Sequence, residues 1–284
     1  MKILITGING QVGYALMQNL TDHELIGLTR QDCDLTNPDQ IRQVIDDHQP
    51  KLIINPAAYT KVDQAEDEPD LVFQINRDAP RVMAEKAREY HIPLIHFSTD
   101  YVFDGEKKEV YVEDDPTHPL GVYGQSKCAG EEAIQEVGGL TYIFRTSWVY
   151  SNIGYNFLLT MKRLSQELDE LKVVADQVGV PTSNEFIAEQ IKHIIPKVME
   201  KNTGVYHLVP DGSCSWYEFA KAIISQTNPQ FDLENLHPIP THEFPTKTKR
   251  PNNSVLSNVK IKEIFDLNFY DWRDCLSQIV AEEQ

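Results

Sequence analysis

The sequence predicts an α/β protein built on a doubly wound parallel sheet, with a smaller lobe interleaved with it. Three observations predict that class. A β-rich run at residues 2–6 ends in Gly7-Ile8-Asn9-Gly10-Gln11-Val12-Gly13 and passes into helical periodicity at Val12, Leu16 and Leu20. This is the strand–loop–helix opening of a dinucleotide-binding unit. Short apolar runs then alternate with helical patterns as far as Tyr150, as in a parallel sheet with helical crossovers. Beyond Tyr150 the elements shorten and the loops lengthen. Residues 1–150 are therefore expected to form the cofactor-binding domain. Residues 151–284 are expected to be mainly a substrate-binding lobe, with segments that return to the first domain.

Each element has a local warrant. Gly7, Gly10 and Gly13 let the backbone turn tightly and approach a pyrophosphate, which would rest on the positive end of the helix opened by Gln11 and Val12. The second strand is expected at 25–28 and ends at Thr29-Arg30. An acidic residue there bonds a ribose 2′-hydroxyl, whereas an arginine accommodates a 2′-phosphate. Arg30 therefore favours NADPH, with NADH still open. Asp34-Leu35-Thr36-Asn37 reads as a loop and cap before a helix at 38–48. A third strand at 51–55 runs into Pro56-Ala57-Ala58-Tyr59-Thr60, whose small residues allow close approach to a cofactor. The acidic stretch Asp63, Glu66, Asp67, Glu68 and Asp70 reads as a solvated loop and first helical turn.

A long helix is expected at 69–90. Asn76 lies on it, either exposed or turned to the sheet to anchor a water near Lys127. A buried strand at 93–97 emerges into Ser98-Thr99-Asp100, at the carboxyl edge where open α/β sheets bind ligands. A Pro- and acid-rich loop leads to the helix of Tyr123 and Lys127. A fifth strand at 140–145 follows, and Thr146-Ser147-Trp148-Val149-Tyr150 emerges from it. The smaller lobe is expected to hold a helix at 155–168, a strand at 172–175, a loop at 176–184 and a helix running to about 199. A strand at 204–209 and a helix at 215–226 come next. Beyond Pro238 the chain reads as loop-rich, ending in an acidic helix near 271–283.

Composition limits the function. The 284 residues carry a net charge of −17, from 26 basic and 43 acidic side chains. That argues against nucleic acid or an anionic membrane as partner. An anionic small ligand stays compatible, because backbone dipoles and a few basic residues can hold phosphate. No apolar run reaches membrane-spanning length, and a strand begins where a leader peptide would stand. Cys33, Cys128, Cys214 and Cys275 are scattered, with no CxxC pair. The expectation is a cytoplasmic protein with reduced thiols.

The chemistry is expected on the helix after the acidic loop. Tyr123 and Lys127 are four residues apart and share one helix face. An ammonium beside a phenol favours the phenolate and would lower the Tyr123 pKa. A tyrosine so tuned can exchange a proton with a substrate oxygen. The same spacing recurs at Tyr217 and Lys221, far from any glycine loop, where it reads as a helix-surface pair.

Together, G-x-x-G-x-x-G behind the first strand, Ser98-Thr99-Asp100 at a strand end, and Tyr-x-x-x-Lys 24 residues after Thr99 resemble the extended short-chain dehydrogenase/reductases. That resemblance implies a Rossmann-type sheet. A narrower resemblance is to the dTDP-4-dehydrorhamnose reductase family, and it spans nearly the whole chain. It is carried by Ser98-Thr99-Asp100-Tyr101-Val102-Phe103-Asp104-Gly105, Tyr123-Gly124-Gln125-Ser126-Lys127 and Arg145-Thr146-Ser147-Trp148-Val149-Tyr150. Val180-Pro181-Thr182, Ser215-Trp216-Tyr217-Glu218-Phe219-Ala220 and Arg250-Pro251 add to it.

The resemblance implies reduction of the C4 ketone of dTDP-4-dehydro-β-L-rhamnose to dTDP-L-rhamnose by NADPH or NADH, the last step in making this sugar donor for cell-surface polysaccharide. It implies that Thr99 polarises the ketone, that Tyr123 donates the proton, and that Lys127 lowers the Tyr123 pKa and holds the nicotinamide ribose. It places Asp100, Tyr101 and Trp148 at the sugar, and Gly10, Gln11, Val12, Asp34, Leu35, Ala58, Tyr59 and Thr60 at the cofactor. Some relatives dimerise through a Mg²⁺ held by glutamates. Glu185 matches one such position, but Glu282 and Glu283 fall outside that pattern, so a homodimer stays open and Mg²⁺ is unassigned.

Two competing readings remain: an epimerase or dehydratase of the same fold acting on another nucleotide sugar, and a non-catalytic regulatory subunit. A dehydratase would place an Asp-Glu pair after the strand-end Thr, where this chain has Asp100-Tyr101. A regulatory subunit would have no need of Thr99, Tyr123 and Lys127 together.

Overall fold

The computed structural model describes residues 1–198 and 202–281. The first part of the chain runs β1 (Lys2–Thr6), α1 (Gln11–Asn19), β2 (Glu24–Leu28), α2 (Pro38–His48), β3 (Leu52–Asn55), α3 (Val62–Ala65), α4 (Pro69–Phe73) and α5 (Ala79–Glu89). Next come β4 (Leu94–Thr99), α6 (Val122–Val137), β5 (Thr141–Thr146) and β6 (Val149–Tyr150). The remainder is α7 (Phe157–Glu167), β7 (Leu171–Val174), β8 (Val178–Gly179), β9 (Thr182–Ser183), α8 (Asn184–Ile194), β10 (Gly204–His207), β11 (Cys214–Ser215), α9 (Trp216–Thr227), β12 (Leu236–Ile239), α10 (Val259–Phe265) and α11 (Trp272–Ala281).

Six strands form one parallel sheet in the order β10-β5-β4-β3-β1-β2. The order reverses at β1, as in a doubly wound fold. Strands β3, β4 and β5 are buried along their whole length, which is why they read as unbroken apolar runs. One face is covered through Ala15, Leu16, Ile187, Ile191 and Ile261 of α1, α8 and α10. The other is covered through Ile41, Ile45, Val82, Met83 and Ile134 of α2, α5 and α6. Each buried Leu, Ile, Val or Met side chain among these contributes about 1.5–3 kcal/mol. A third core joins α7, α9 and α11 around Tyr150, Phe219 and Trp272. Chain beyond residue 150 thus supplies α7, α9 and α11 to this third core and α8, β10 and α10 to the sheet.

Several sequence expectations need correction. Strand β4 continues through Ser98 and Thr99, because these pair with Arg145 and Thr146 of β5. The stretch 176–184, expected as a loop, contains β8 and β9. Helix α10 lies where only loop is expected; Ile261 and Phe265, four apart, are buried in the sheet core, but seven residues with two lysines leave a weak periodicity. Asn76 is fully buried in a π turn, Gln74–Asp78, between α4 and α5. The expected helix ends near 199 and 283 lie outside the described residues, as do Glu282 and Glu283. Among the described residues no helix is long and apolar enough to cross a membrane. All four cysteines are free and buried.

Candidate active site

Helix α6 carries Tyr123 and Lys127, so its placement sets the site. Its N-cap, Gly121, has no side chain to offer. Glu66 supplies the missing acceptor, taking the Val122 N–H at 2.9 Å. At Gly124 an added Cβ would lie 2.3 Å from the Tyr101 carbonyl oxygen, and at Gly130 it would lie 2.1 Å from that of Asn76. Only glycine lets α6 press this close to the turn after β4 and to the π turn. Further along, Arg145 of β5 forks onto Glu131, with Nη2 to Oε2 at 2.6 Å and Nε to Oε1 at 2.9 Å. Both are nearly fully buried, where a bidentate pair fixes geometry as well as charge.

The residues expected to do acid–base chemistry meet at the carboxyl edge of β4. The Thr99 hydroxyl donates to Asp100 Oδ1 at 3.0 Å and accepts the Tyr101 N–H at 3.2 Å. Burial pushes the Tyr123 phenol well above its ordinary pKa; Thr99 is the neighbour that favours the phenolate, and Asp100 and Tyr101 oppose it. Lys127 Nζ donates to Phe97 O at 2.6 Å and lies 3.1 Å from His96 Nε2. Burial lowers the Lys127 pKa to about 8, with Glu131 opposing. This corrects the expectation that Lys127 depresses Tyr123 in the protein alone. The ammonium is drawn inward by two strand acceptors, and desolvation dominates both groups.

The residues expected at a cofactor divide into two groups. A cavity of about 310 Å³ is lined by Gly7, Thr29, Arg30, Asp34, Leu35, Ala58, Tyr59 and Thr60, together with Thr6, Lys61 and Ile75, which the sequence reading missed. Gly7 has φ +60°, and a Cβ there would come within 2.8 Å of Ala57 Cβ. No side chain caps α1 at Gly10, so its first amides are available to an anion. These features fit a dinucleotide. Gly10, Gln11, Val12 and Gly13 do not line the cavity. Gln11 accepts from Ser151 and Asn156, Val12 packs on the sheet core, and Gly13 lies against Gly7 O. At the end of β2, Asp32 folds back to accept from the Thr29 amide and hydroxyl. Arg30 is exposed.

The acidic stretch does more than meet solvent. Asp63 pairs with Arg250 at 2.8 Å and accepts the Thr248 N–H. Asp67 pairs with Lys247, and Glu68 accepts from Tyr59 at 2.9 Å. Chain at 247–250 is thereby held against the stretch 63–67. Asn76 clamps Tyr59 through both its amide and its carbonyl, and it reaches Ser126 Oγ at 3.0 Å. It links the cavity wall to the Tyr123 turn, since Ser126 Oγ donates to Tyr123 O.

The residues expected at the sugar are partly assembled. Tyr101 and Tyr123 meet edge to face at 5.7 Å, and Arg250 lies over the Tyr101 ring. Asp100 is buried, and burial raises its pKa to about 6, with the Ser254 and Thr99 hydroxyls opposing. Trp148 has φ +46°, a rare conformation for an aromatic residue that marks functional or constrained positions. Its indole stacks on Trp216 at 3.5 Å. Glu185 accepts from Asn19 at 2.8 Å. Among the described residues no cluster of three or more His, Cys, Asp or Glu could hold a metal ion.

The family model described as the RmlD substrate binding domain matches residues 1–284. A dTDP-4-dehydrorhamnose reductase of Burkholderia thailandensis is 41% identical over 294 residues, with 99% of each chain covered. One from Escherichia coli K12 is 38% identical over 292 residues, covering 99% of this chain and 98% of that one. The crystal structure of dTDP-4-dehydrorhamnose reductase from Bacillus anthracis in complex with NADP is 37% identical, covers 99% of both chains and has a TM-score of 0.93.

Proposed function

The chain belongs to the dTDP-4-dehydrorhamnose reductase family, and from that premise we propose how its residues divide the family's reaction among them. The activity is that of a dTDP-4-dehydrorhamnose reductase in dTDP-rhamnose biosynthesis: the C4 ketone of the dTDP-sugar becomes an alcohol. NADPH, when bound, supplies the hydride that C4 receives. Gly7 and the head of α1 hold its diphosphate. Arg30 meets the 2′-phosphate, and Asp34, Leu35, Ala58, Tyr59 and Thr60 enclose the rest. Support for NADPH over NADH comes from Arg30 at the cavity wall and from the NADP in the Bacillus relative.

Tyr123 gives its phenolic proton to O4 as the C4–O4 double bond becomes single. Its raised pKa keeps it protonated and ready to donate. Thr99 turns its hydroxyl from Asp100 to O4 and stabilises the developing negative charge. Lys127 uses its remaining N–H on the nicotinamide ribose. Asp100, Tyr101 and Trp148 position the sugar. In this division residues 1–150 hold the cofactor and carry the groups that meet the ketone, and the chain beyond 150 completes the substrate side, with Arg250 over the Tyr101 ring.

The single observation that carries this reading is the junction of Thr99 and Tyr123 at a strand's carboxyl edge, one helical turn from a buried lysine. NADPH oxidation should follow addition of the 4-keto sugar nucleotide generated in situ, with dTDP-L-rhamnose as the product. Oxidation that ignores the sugar, or a product that is epimerised or dehydrated without reduction, would refute it.

A further inference from the structure

A polar row crosses the sheet beneath α6. Strand register sets Asn55 of β3 opposite His96 of β4, and Thr6 ends the adjacent β1. Thr6 Oγ1 lies 2.6 Å from Asn55 Oδ1, Asn55 Nδ2 lies 3.1 Å from His96 Nδ1, and His96 Nε2 lies 3.1 Å from Lys127 Nζ. All four residues are 2% exposed or less. Such a row among apolar strands is costly unless each group is paired. Its far end reaches the cofactor cavity, which Thr6 and Gly7 line.

We propose that His96 is a positioning residue for Lys127: steadied by Asn55 and Thr6, its Nε2 takes one N–H of the ammonium while Phe97 O takes a second, leaving the third for the ribose. This rests on the role given to Lys127 above. An ammonium has three donors and no acceptor, so Nε2 accepts and the ring is neutral with its proton on Nδ1. The Asn55 amide must then turn its oxygen to His96 and its NH₂ to Thr6, an orientation set by the network. Burial and the adjacent ammonium hold His96 well below its ordinary pKa, in keeping with a neutral ring.

Other charged and titratable groups surround Lys127. Glu131 on its own helix is locked to Arg145 of β5. Asp100, Tyr101 and Tyr123 lie at the substrate end, and Glu66 lies at the head of α6. Arg77–Asp78 and Arg81–Glu136 are surface pairs on the packed helices.

Glutamine and asparagine separate the two arms of the ring. His96→Gln keeps an acceptor where Nε2 stands, whereas His96→Asn keeps a polar group only where Nδ1 stands. His96→Gln should hold kcat within about threefold of wild type. His96→Asn should lose roughly 10–100-fold, the scale of a misplaced catalytic group. Its alkaline limb should move about one pH unit lower, because a buried ammonium with one acceptor fewer gives up its proton more readily.

In the protein without cofactor, nitrogen NMR below the Lys127 pKa should find the His96 proton on Nδ1; a proton on Nε2 would overturn the inference. Lys127→Met is the comparator. If it keeps full turnover, the role of Lys127 itself is wrong. If it is inactive while folded His96→Asn matches wild type in kcat and alkaline limb, only the His96 inference fails. Should His96→Asn not fold, the tautomer measurement on the wild-type protein decides: a proton on Nδ1 supports the inference, and one on Nε2 overturns it.

Discussion

Two Tyr-x-x-x-Lys pairs occur in this chain, on α6 and on α9, and only their surroundings differ. Lys127 is 2% exposed and held by strand acceptors, whereas Lys221 is exposed. Tyr123 meets Thr99 and Tyr101 at a strand's carboxyl edge, whereas Tyr217 packs on the core of the smaller lobe. Helix α9 turns Phe219, Ala220 and Ile223 inward and so directs Lys221 to water. Spacing puts two side chains on one face. What that face meets decides whether they can do chemistry.

The largest expected effect comes from making the α6 pair as inert as its counterpart. Lys127→Met should cut turnover by roughly 10²–10⁴-fold, the usual worth of a positioned acid–base group. Cofactor affinity, followed by fluorescence titration, should fall with it. Gly124→Ala attacks the placement of the pair instead. Alanine would gain up to about 1 kcal/mol of helix propensity, but a Cβ 2.3 Å from Tyr101 O forces overpacking that costs about 1–3 kcal/mol. The contact should win, so Tm and kcat should both fall; an unchanged Tm would show that α6 can slide.

Arg30→Ala should raise the KM for NADPH by about tenfold, from the loss of a charge-assisted contact of roughly 1.5 kcal/mol, and should leave NADH unaffected. Equal loss with both cofactors would remove Arg30 from the 2′-phosphate.

A further effect is read in stability rather than in turnover. Asp100 titrates at about 6 when folded and at 3.8 as a free side chain. Between those values the native state binds more protons, so stability falls as pH rises through that window, by up to about 3 kcal/mol. Asp100→Asn should flatten that slope in pH-dependent denaturation, and an unaltered slope would assign it to another group.

The doubly wound sheet is legible in the sequence because buried parallel strands must be apolar along their length and glycine spacing marks the first turn. Thr99 stands out as a polar residue where an apolar run leaves the sheet, and Tyr123 and Lys127 stand out by their i, i+4 spacing together with the family resemblance. His96, Asn55 and Thr6 are harder to read. Each is a polar residue flanked by apolar ones within a strand or placed at a strand's end, and only register across three strands joins them. Glu66, Asp63 and Arg250 are hidden for another reason: acidic stretches are usually solvated, and these partners lie far apart in sequence. The raised Tyr123 pKa is also illegible from spacing, because desolvation depends on what covers the phenol. Trp148 stacks on Trp216 from a separate helix, a pairing that no local pattern contains.

The most direct test sets the two pairs against each other with one substitution. Tyr123→Phe and Tyr217→Phe each remove one hydroxyl and almost no volume. Sugar-dependent NADPH oxidation, measured on folded protein with matched cofactor affinity, should fall by roughly 10²–10⁴-fold for Tyr123→Phe and stay near wild type for Tyr217→Phe. Wild-type turnover in Tyr123→Phe, or an equal loss in Tyr217→Phe, would contradict the assignment of the chemistry to α6.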